Sequence, residues 1–395
     1  MTVARRTRIL IVDDSAVMRS LLRSVASSDA QLEVVGTAAD GASALNALQT
    51  LQPDIILLDV EMPVMDGLTT LRALRQRWSK IPVIMCSSLT QRGAKVTIEA
   101  LAGGAADYVS KPSGQSDRET ALRRLAQELL PKIRALTPRT ADTSLVPQRF
   151  AISGTPRTST SQIVSPKSTL TRNPAASTSQ PITSTPSIVV VGVSTGGPAA
   201  LDVLLPALPE RFPLPVLIVQ HMPELFTSLL ADRLNGRCRL RVREATDGEP
   251  VRAGSIYIAR GNWHMETVAT ALPDSPAMLR LSQGAQENHC RPSVDVLFRS
   301  AANVFGSGVL AVVLTGMGSD GVKACRTIRE LGGAVLAQDE VTSTVWGMPG
   351  AVVNAGLANR VLSLEMMAPE ILRITAQLSL PAISLGLDRV GQAVL

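Results

Sequence analysis

The sequence predicts an α/β protein of two doubly wound domains, the first built on a five-stranded parallel sheet, joined by a flexible segment. Three observations carry this reading. The chain of 395 residues is too long for one ordinary domain and comfortable for two, and its 45% hydrophobic content is ample for two cores. Residues 137–187 hold 28 Ser, Thr or Pro among 51, a composition that cannot bury enough apolar surface to offset its backbone entropy. They read as a linker between domains at 1–136 and 188–395. On either side of it, short apolar runs alternate with amphipathic stretches, the signature of a parallel sheet covered by helices.

In the first domain the strands are "RILIV", "LEVVGTA", "DIILLD", "VIMCSS" and "DYVS". Helices are expected at 16–28, 41–51, 67–77, 90–102 and 117–136, where the apolar residues recur at helical spacing. The second domain opens on "PSIVVVGVSTGGPAALDVLLPAL", a strand over 188–193, a turn, and a helix whose first position is expected at Pro198, where a missing N–H costs nothing. "PLPVLIVQ" and "GVLAVVLTGMGSDG" are further strands of the same kind, and "GNWHME" lies in or beside a hairpin. No internal repeat of 20–50 residues is present.

Composition excludes several functions. The formal charge of +6 would suggest a polyanion partner if it lay on a folded surface, but Lys plus Arg against Asp plus Glu runs 17 to 14 over 1–136, 5 to 1 over 137–187 and 17 to 18 over 188–395. With 3% aromatics there is no basic stripe interleaved with stacking rings, so no nucleic acid is expected as a partner. Cys86, Cys238, Cys290 and Cys325 form no CxxC pair and read as reduced, mostly buried thiols. The apolar run near the start is four residues long before Asp13 and Asp14, and no stretch approaches eighteen apolar residues, so neither a secretory signal nor membrane insertion is expected. A cytoplasmic monomer follows as the expectation.

In doubly wound sheets function collects beyond the carboxyl ends of the strands. In the first domain these ends carry Asp13 and Asp14, Asp59, Ser87 and Lys111. Three carboxylates there repel one another unless a cation neutralises them, and a hard divalent ion with oxygen ligands, Mg²⁺, meets that need. Lys111 and Ser87 suit the surroundings of a phosphoryl group, with Asp59 as its acceptor. "ILIVDDSAVMR", "LLDVEMPVMDG", "VIMCSS" and "YVSKPSG" together resemble the receiver domain of two-component response regulators, a flavodoxin-like fold, over about residues 6–125. The resemblance implies that a histidine kinase phosphorylates Asp59, and that Asp14, Asp59 and the backbone carbonyl of Glu61 hold Mg²⁺ with Asp13 acting through water. It also places Ser87 and Lys111 on the phosphoryl group.

"GVSTG" fits the G-x-S-x-G turn that projects a serine hydroxyl, with amides at the helix start poised for an oxyanion. Of the three histidines, His221 follows a strand directly and is the best base, His264 belongs to the hairpin region, and His289 lies in a loop. Asp320 supplies an orienting carboxylate from another strand end. A second triad of Ser194, Asp247 and His289 keeps the chain order of α/β-hydrolases. A different class altogether is suggested by "GMGSDG", a G-x-G-x-x-G after a strand with Asp339 eighteen residues beyond, which fits a dinucleotide site except that Asp320 would repel a pyrophosphate.

"GVSTGGP", "VQHMP", "HCRPSVDVLF", "LTGMGSDG" and "TSTVWGMPGAV" resemble the catalytic domain of chemotaxis protein-glutamate methylesterases over about 188–380. By that resemblance Ser194, His221 and Asp320 form the triad, and the amides of Thr195 and Met317 the oxyanion site. The substrates implied are glutamate γ-methyl esters, and glutamines for deamidation, on methyl-accepting chemoreceptors, with no cofactor for hydrolysis. The unphosphorylated first domain is expected to obstruct the cleft.

Overall fold

The computed structural model describes residues 5–88, 90–112, 117–137, 181–271 and 275–376. Most of the expected linker, residues 138–180, therefore lies outside the described residues.

Alternation of apolar side chains to both faces builds the first sheet. Strands β1 (Thr7–Val12), β2 (Leu32–Ala38), β3 (Ile55–Asp59), β4 (Val83–Ser87) and β5 (Asp107–Ser110) are parallel in the order β2-β1-β3-β4-β5. In β1, Leu10 and Val12 enter one apolar layer while Ile9 and Ile11 enter the other, so helices cover the sheet on both sides. The helices are α1 (Ala16–Ser27), α2 (Gly41–Leu51), α3 (Gly67–Arg77), α4 (Gln91–Ala102) and α5 (Arg118–Leu136). Each starts where a short polar side chain can replace the missing backbone acceptor: Ser15, Asp40, Asp66, Thr90 and Asp117 each accept from the amide three residues on. These elements coincide with the expected ones to within a residue.

The second sheet has seven parallel strands in the order β14-β13-β12-β6-β7-β9-β8. They are β6 (Ile188–Val193), β7 (Val216–Gln220), β8 (Arg241–Glu244), β9 (Ser255–Ile258), β12 (Val309–Val313), β13 (Ala334–Gln338) and β14 (Arg360–Leu362). A separate antiparallel pair, β10 (His264–Val268) and β11 (Met278–Ser282), places His264 in the hairpin expected there. Helices α6 (Gly197–Leu204), α7 (Glu224–Asn235), α8 (Val294–Phe305), α9 (Val322–Glu330), α10 (Met348–Asn354) and α11 (Leu364–Thr375) complete the domain. Helix α6 begins at Gly197, one residue before the expected Pro198, which takes the second position. The chain leaves β6 for β7 on one side and later returns to β12 on the other. This reversal opens a crevice at the carboxyl ends of β6, β7 and β12.

The two sheets share one apolar cluster. Ile98, Leu101 and Tyr108 of the first domain belong to the same buried cluster as Leu201, Phe226 and Leu230 of the second, with α4 laid across α6 and α7. Tyr108 stacks on Phe226 with ring centroids 4.6 Å apart.

At one place the first domain tolerates no side-chain carbon. A Cβ on Gly67 would stand 2.1 Å from the carbonyl oxygen of Asp59, with the Asp59 carbonyl carbon and Val60 Cα also at 3.0 Å, so only backbone could give way. Gly67→Ala should therefore destabilise the first domain by about 1–3 kcal/mol through overpacking. Chemical denaturation followed by a probe in each domain should show the loss confined to the first.

Candidate functional site

Polar residues at the carboxyl ends of the first sheet converge because parallel strands end on the same edge. Asp13 and Asp59 are buried and Asp14 is exposed, and one carboxylate oxygen from each lies within 4.8 Å of the others. The Lys111 amine reaches Asp13 Oδ2 at 2.8 Å and Asp59 Oδ1 at 2.7 Å. Asp13 Oδ1 accepts from the Ser15 amide at 2.8 Å, and Asp59 Oδ1 from the Glu61 amide at 3.4 Å. One ammonium is too little for three carboxylates. Burial, with Asp13 as a lesser cause, pushes the Asp59 carboxyl up to about 6 despite the opposing pull of Lys111. An open depression of about 440 Å³ beside the cluster is lined by Asp14, Glu61 and Asp66 and leaves room for waters. An all-oxygen donor set, uncompensated negative charge and space for retained waters fit Mg²⁺.

Ser87 behaves differently from the simple expectation. Its hydroxyl accepts from Thr97 Oγ1 at 2.7 Å and donates to the Ser88 carbonyl at 3.1 Å, so in this arrangement it serves the β4–α4 connection. Lys111, by contrast, stands where a cation for a phosphoryl group is needed.

In the second domain, β6 ends in a turn that only glycine permits. Gly196 has φ +78° and a Cβ there would meet Thr344 Oγ1 at 2.4 Å. The Ser194 amide donates to Thr315 O at 3.0 Å and the Ser194 carbonyl accepts from Gln220 Nε2 at 3.0 Å, which fixes the turn against β12 and β7. Neither the Thr195 nor the Met317 amide finds an acceptor among the described residues, and both residues line the same cavity of about 190 Å³ as Ser194 and His221. Two free N–H groups at one cavity are what a developing oxyanion needs.

His221 Nε2 meets Asp320 Oδ2 at 2.8 Å. A carboxylate only accepts, so Nε2 carries a proton in either charge state, and the lone pair of the neutral ring falls on Nδ1. Asp320 is itself saturated: Oδ1 accepts from Asn288 Nδ2, Ser293 Oγ and the Asp295 amide, and Oδ2 from the Val294 amide, at 2.7–3.1 Å. The Val294 and Asp295 amides belong to the first turn of α8, whose dipole favours the negative charge. Burial alone would raise the Asp320 carboxyl and lower the His221 imidazolium, but their mutual bond holds Asp320 below and His221 above the ordinary values. Ser194 faces the same cavity without being hydrogen-bonded to His221. The Cys290 thiol lies 3.8 Å from Nδ1.

The other candidates separate. His264 is buried and spent on Ala285 O and the Ser293 amide. Asp247 accepts from the Leu281 amide at 2.8 Å and His289 does not line the Ser194 cavity, so the second triad is not assembled. Asp339 caps its own turn by accepting from the Thr342 amide and hydroxyl, which leaves the G-x-G-x-x-G reading without its acidic residue. Cys86 and Cys325 are buried, whereas Cys238 and Cys290 are only partly so, against the expectation of mostly buried thiols. Sequence reasoning also missed Asn288, Ser293 and Asp295, which hold Asp320. Their clustering in "NHCRPSVD" was the available signal.

The first domain roofs the cavity. Leu101, Asp107, Tyr108 and Lys132 line it from that side, and Thr195 Oγ1, next to Ser194, donates to Asp107 Oδ2 at 2.5 Å. Lys132 pairs with Asp107 at 3.3 Å and lies 4.9 Å over the Tyr108 ring.

Comparison with known proteins gives a consistent result. Residues 189–371 match the family model described as CheB methylesterase, and residues 9–123 that of the response regulator receiver domain. A protein-glutamate methylesterase/protein-glutamine glutaminase of Trichodesmium erythraeum is 43% identical over 93% of this chain and 98% of its own length. One from a Nocardioides species is 46% identical over 94% of this chain and 96% of its own. Among solved structures, the CheB methylesterase catalytic domain of Thermotoga maritima is 41% identical, covering 48% of this chain and 98% of that one at a TM-score of 0.46.

The Asp59 carboxyl gives a pH prediction. Its folded value of about 6 lies above the ordinary 3.8, so between these values the folded domain holds a proton that the unfolded chain has lost, and stability falls as pH rises through the window. Asp59→Asn should remove that fall and stabilise the first domain at pH 7 by on the order of 2 kcal/mol. Thermal melts at pH 4–7, with and without Mg²⁺, check this, and Mg²⁺ should offset the loss in the unaltered chain only.

Proposed function

The chain belongs to the protein-glutamate methylesterase/protein-glutamine glutaminase family, in which a receiver domain precedes the esterase domain, and from that premise we propose that it is a phosphorylation-activated serine esterase of chemoreceptor adaptation. The substrates are glutamate γ-methyl esters on the cytoplasmic helices of methyl-accepting chemoreceptors, and receptor glutamines are deamidated at the same site. Such substrates place the enzyme in the cytoplasm, and no helix among the described residues is long and apolar enough to cross a membrane. Each site is complete within one chain, which supports action as a monomer.

The observation that carries the reading is the cavity lined by Ser194, His221, Thr195 and Met317, where the Nε2 of His221 is bound to Asp320 and the amides of Thr195 and Met317 have no acceptor among the described residues. Ser194 Oγ attacks the γ-carbonyl carbon while His221 Nδ1 takes its proton. The carbonyl oxygen, now negative, receives the Thr195 and Met317 N–H groups. His221 then returns the proton to the leaving oxygen, so methanol departs and an acyl-serine remains. Water, deprotonated by the same nitrogen, releases the glutamate. With an amide, ammonia leaves in place of methanol. Asp320 holds the imidazolium formed in each step, and its own four further donors keep it from taking the proton.

In the receiver, Asp59 accepts the phosphoryl group from a histidine kinase. Asp14, Asp59 and the Glu61 carbonyl would hold Mg²⁺, with Asp13 acting through water, and that ion supplies charge neutralisation for phosphoryl transfer. Lys111 pairs with the new phosphoryl oxygens, and Ser87 reaches them by giving up its bond to Ser88. Residues 137–187 act as the tether between domains bounded at 1–136 and 188–395. The unphosphorylated receiver restrains the esterase by two contacts, the Thr195–Asp107 hydrogen bond beside Ser194 and the Tyr108–Phe226 stack between the domains. An aromatic pair contributes about 0.5–1.5 kcal/mol and a hydrogen bond to a charged group about 1.5–3 kcal/mol. Loss of the Tyr108–Phe226 stack and the Thr195–Asp107 bond thus suffices for a coupling of about 1–3 kcal/mol.

Ser194→Ala should abolish methanol release from methylated receptor, and His221→Ala should match it within about an order of magnitude, since such residues act as a unit. An active Ser194→Ala enzyme would remove the assignment. Because His221 is held above its ordinary value and must be neutral to act, the rate should climb as pH rises above neutrality. A rate that is flat there, or that falls, would speak against His221 as the base.

The fragment 188–395 should exceed the unphosphorylated full chain by roughly 5- to 150-fold and ignore phosphodonor. A fragment no faster than the full chain would mean that activation comes from recruitment rather than release.

A further inference from the structure

The catalytic nitrogen faces a thiol. His221 Nδ1 and Cys290 Sγ are 3.8 Å apart in the cavity that also holds Ser194. Nδ1 and Sγ around a tetrahedral Zn²⁺, at about 2.0–2.1 Å and 2.3 Å from the metal, would be about 3.6 Å from each other, so a shift of a few tenths of an ångström admits the ion. We propose that His221 and Cys290 form a site for a thiophilic divalent cation, Zn²⁺, whose occupation switches the esterase off.

Three features make this more than proximity. First, the ring is presented as zinc-binding imidazoles are: its other nitrogen donates to a carboxylate, which fixes the tautomer and raises the basicity of the free nitrogen. The ligating atoms of His221, Cys290 and Asp320 lie within 4.8 Å of one another. Asp320, however, already receives Asn288, Ser293 and two amides, so it supports the imidazole rather than ligating the metal.

Second, Cys290 is held in place. Its amide and carbonyl bond Glu287 O and N at 2.9 and 3.2 Å, and the adjoining Arg291 side chain is tied to Asn262 Oδ1 and to the carbonyls of Gln283 and Gly284. A thiol on a fixed loop loses little freedom on binding.

Third, the site differs from its surroundings in chemistry. Cys86 and Cys325 are buried with their thiols pushed far up by burial, and Cys238 is pushed up to about 11, chiefly by burial and then by Asp202. Among the described residues only Cys290 has an imidazole beside it. The receiver cluster of Asp13, Asp14 and Asp59 offers oxygen alone and suits Mg²⁺, whereas nitrogen and sulfur select zinc.

Binding is a proton exchange without redox change: the thiol S–H bond breaks, the S–Zn bond forms, and the proton goes to solvent. Water from the cavity fills the remaining positions. The metal then occupies the lone pair that must receive the Ser194 proton. The inhibitory part of the proposal rests on His221 as the base; the binding part does not.

The test uses the full chain in excess Mg²⁺, which keeps the receiver carboxylates occupied. Zn²⁺ is titrated against a chromophoric zinc indicator for every variant, and methanol release is followed in parallel for the unaltered chain and the Cys290 variants only, each against its own zinc-free rate. The expected result is one tight equivalent in the unaltered chain, at least tenfold weaker binding in Cys290→Ala and in His221→Gln, and inhibition with the same zinc midpoint that a chelator reverses. Cys290→Ser, which keeps the shape but not the thiolate, guards against misfolding and should bind as weakly as Cys290→Ala. Unaltered zinc binding by the Cys290 variants would overturn the site. Zinc bound at the pair with undiminished hydrolysis would overturn the switch and the reading of His221 as base, while leaving the binding result intact.

Discussion

The catalytic half depends on one buried carboxylate. Asp320 sits at the turn after β12 and takes hydrogen bonds from His221, Asn288, Ser293 and the first amides of α8. It therefore joins three segments that are distant in sequence: the end of β7, the "NHCRPSVD" loop with α8, and the β12–α9 turn. An uncompensated charge in that position would cost several kcal/mol, so none of these segments can move alone without exposing it. The placement of the His221 ring beside the Ser194 cavity is a consequence of satisfying this group.

The two acidic sites of the chain use the same side chain in opposite ways. Asp320 is given more donors than it needs and stays ionised well below the ordinary range. Asp59 shares one lysine with Asp13 and is held up at about 6 by burial. The first arrangement suits a permanent anion that holds an imidazolium. The second leaves a deficit of positive charge, which suits a divalent ion. A buried carboxylate is thus a fixed support or a reactive centre according to how completely its surroundings neutralise it.

Between these sites the domains meet through α4 and through β5. Lys111, which pairs with Asp59, is three residues from Tyr108, which stacks on Phe226, and four from Asp107, which binds Thr195 beside the nucleophile. A four-residue strand of about 13 Å spans the distance from the acidic cluster to the roof of the catalytic cavity. Such a strand ties the acidic cluster and the interdomain contacts to one element.

The sequence by itself determined the first sheet with its helices, three strands and the opening helix of the second domain, and the strand-end positions of the polar residues, because short apolar runs, helical spacing and glycine turns are local signals; the short strands β8, β9, β13 and β14 were not read from it. It also determined that Ser194, His221 and Asp320 share a sheet edge, since all parallel strands present their carboxyl ends together. Tertiary structure alone decided what each side chain does there. That His221 offers Nδ1 rather than Nε2 to the cavity depends on where Asp320 lies across the crevice. That Cys290 stands at this nitrogen depends on a loop seventy residues on. That Ser87 is occupied by Thr97, and that Asp107 reaches Thr195, follow from packing between elements with no sequence periodicity in common. Patterning specifies which face of an element is buried, whereas hydrogen-bond partners across a crevice are set by ångström-scale distances that no spacing along the chain encodes.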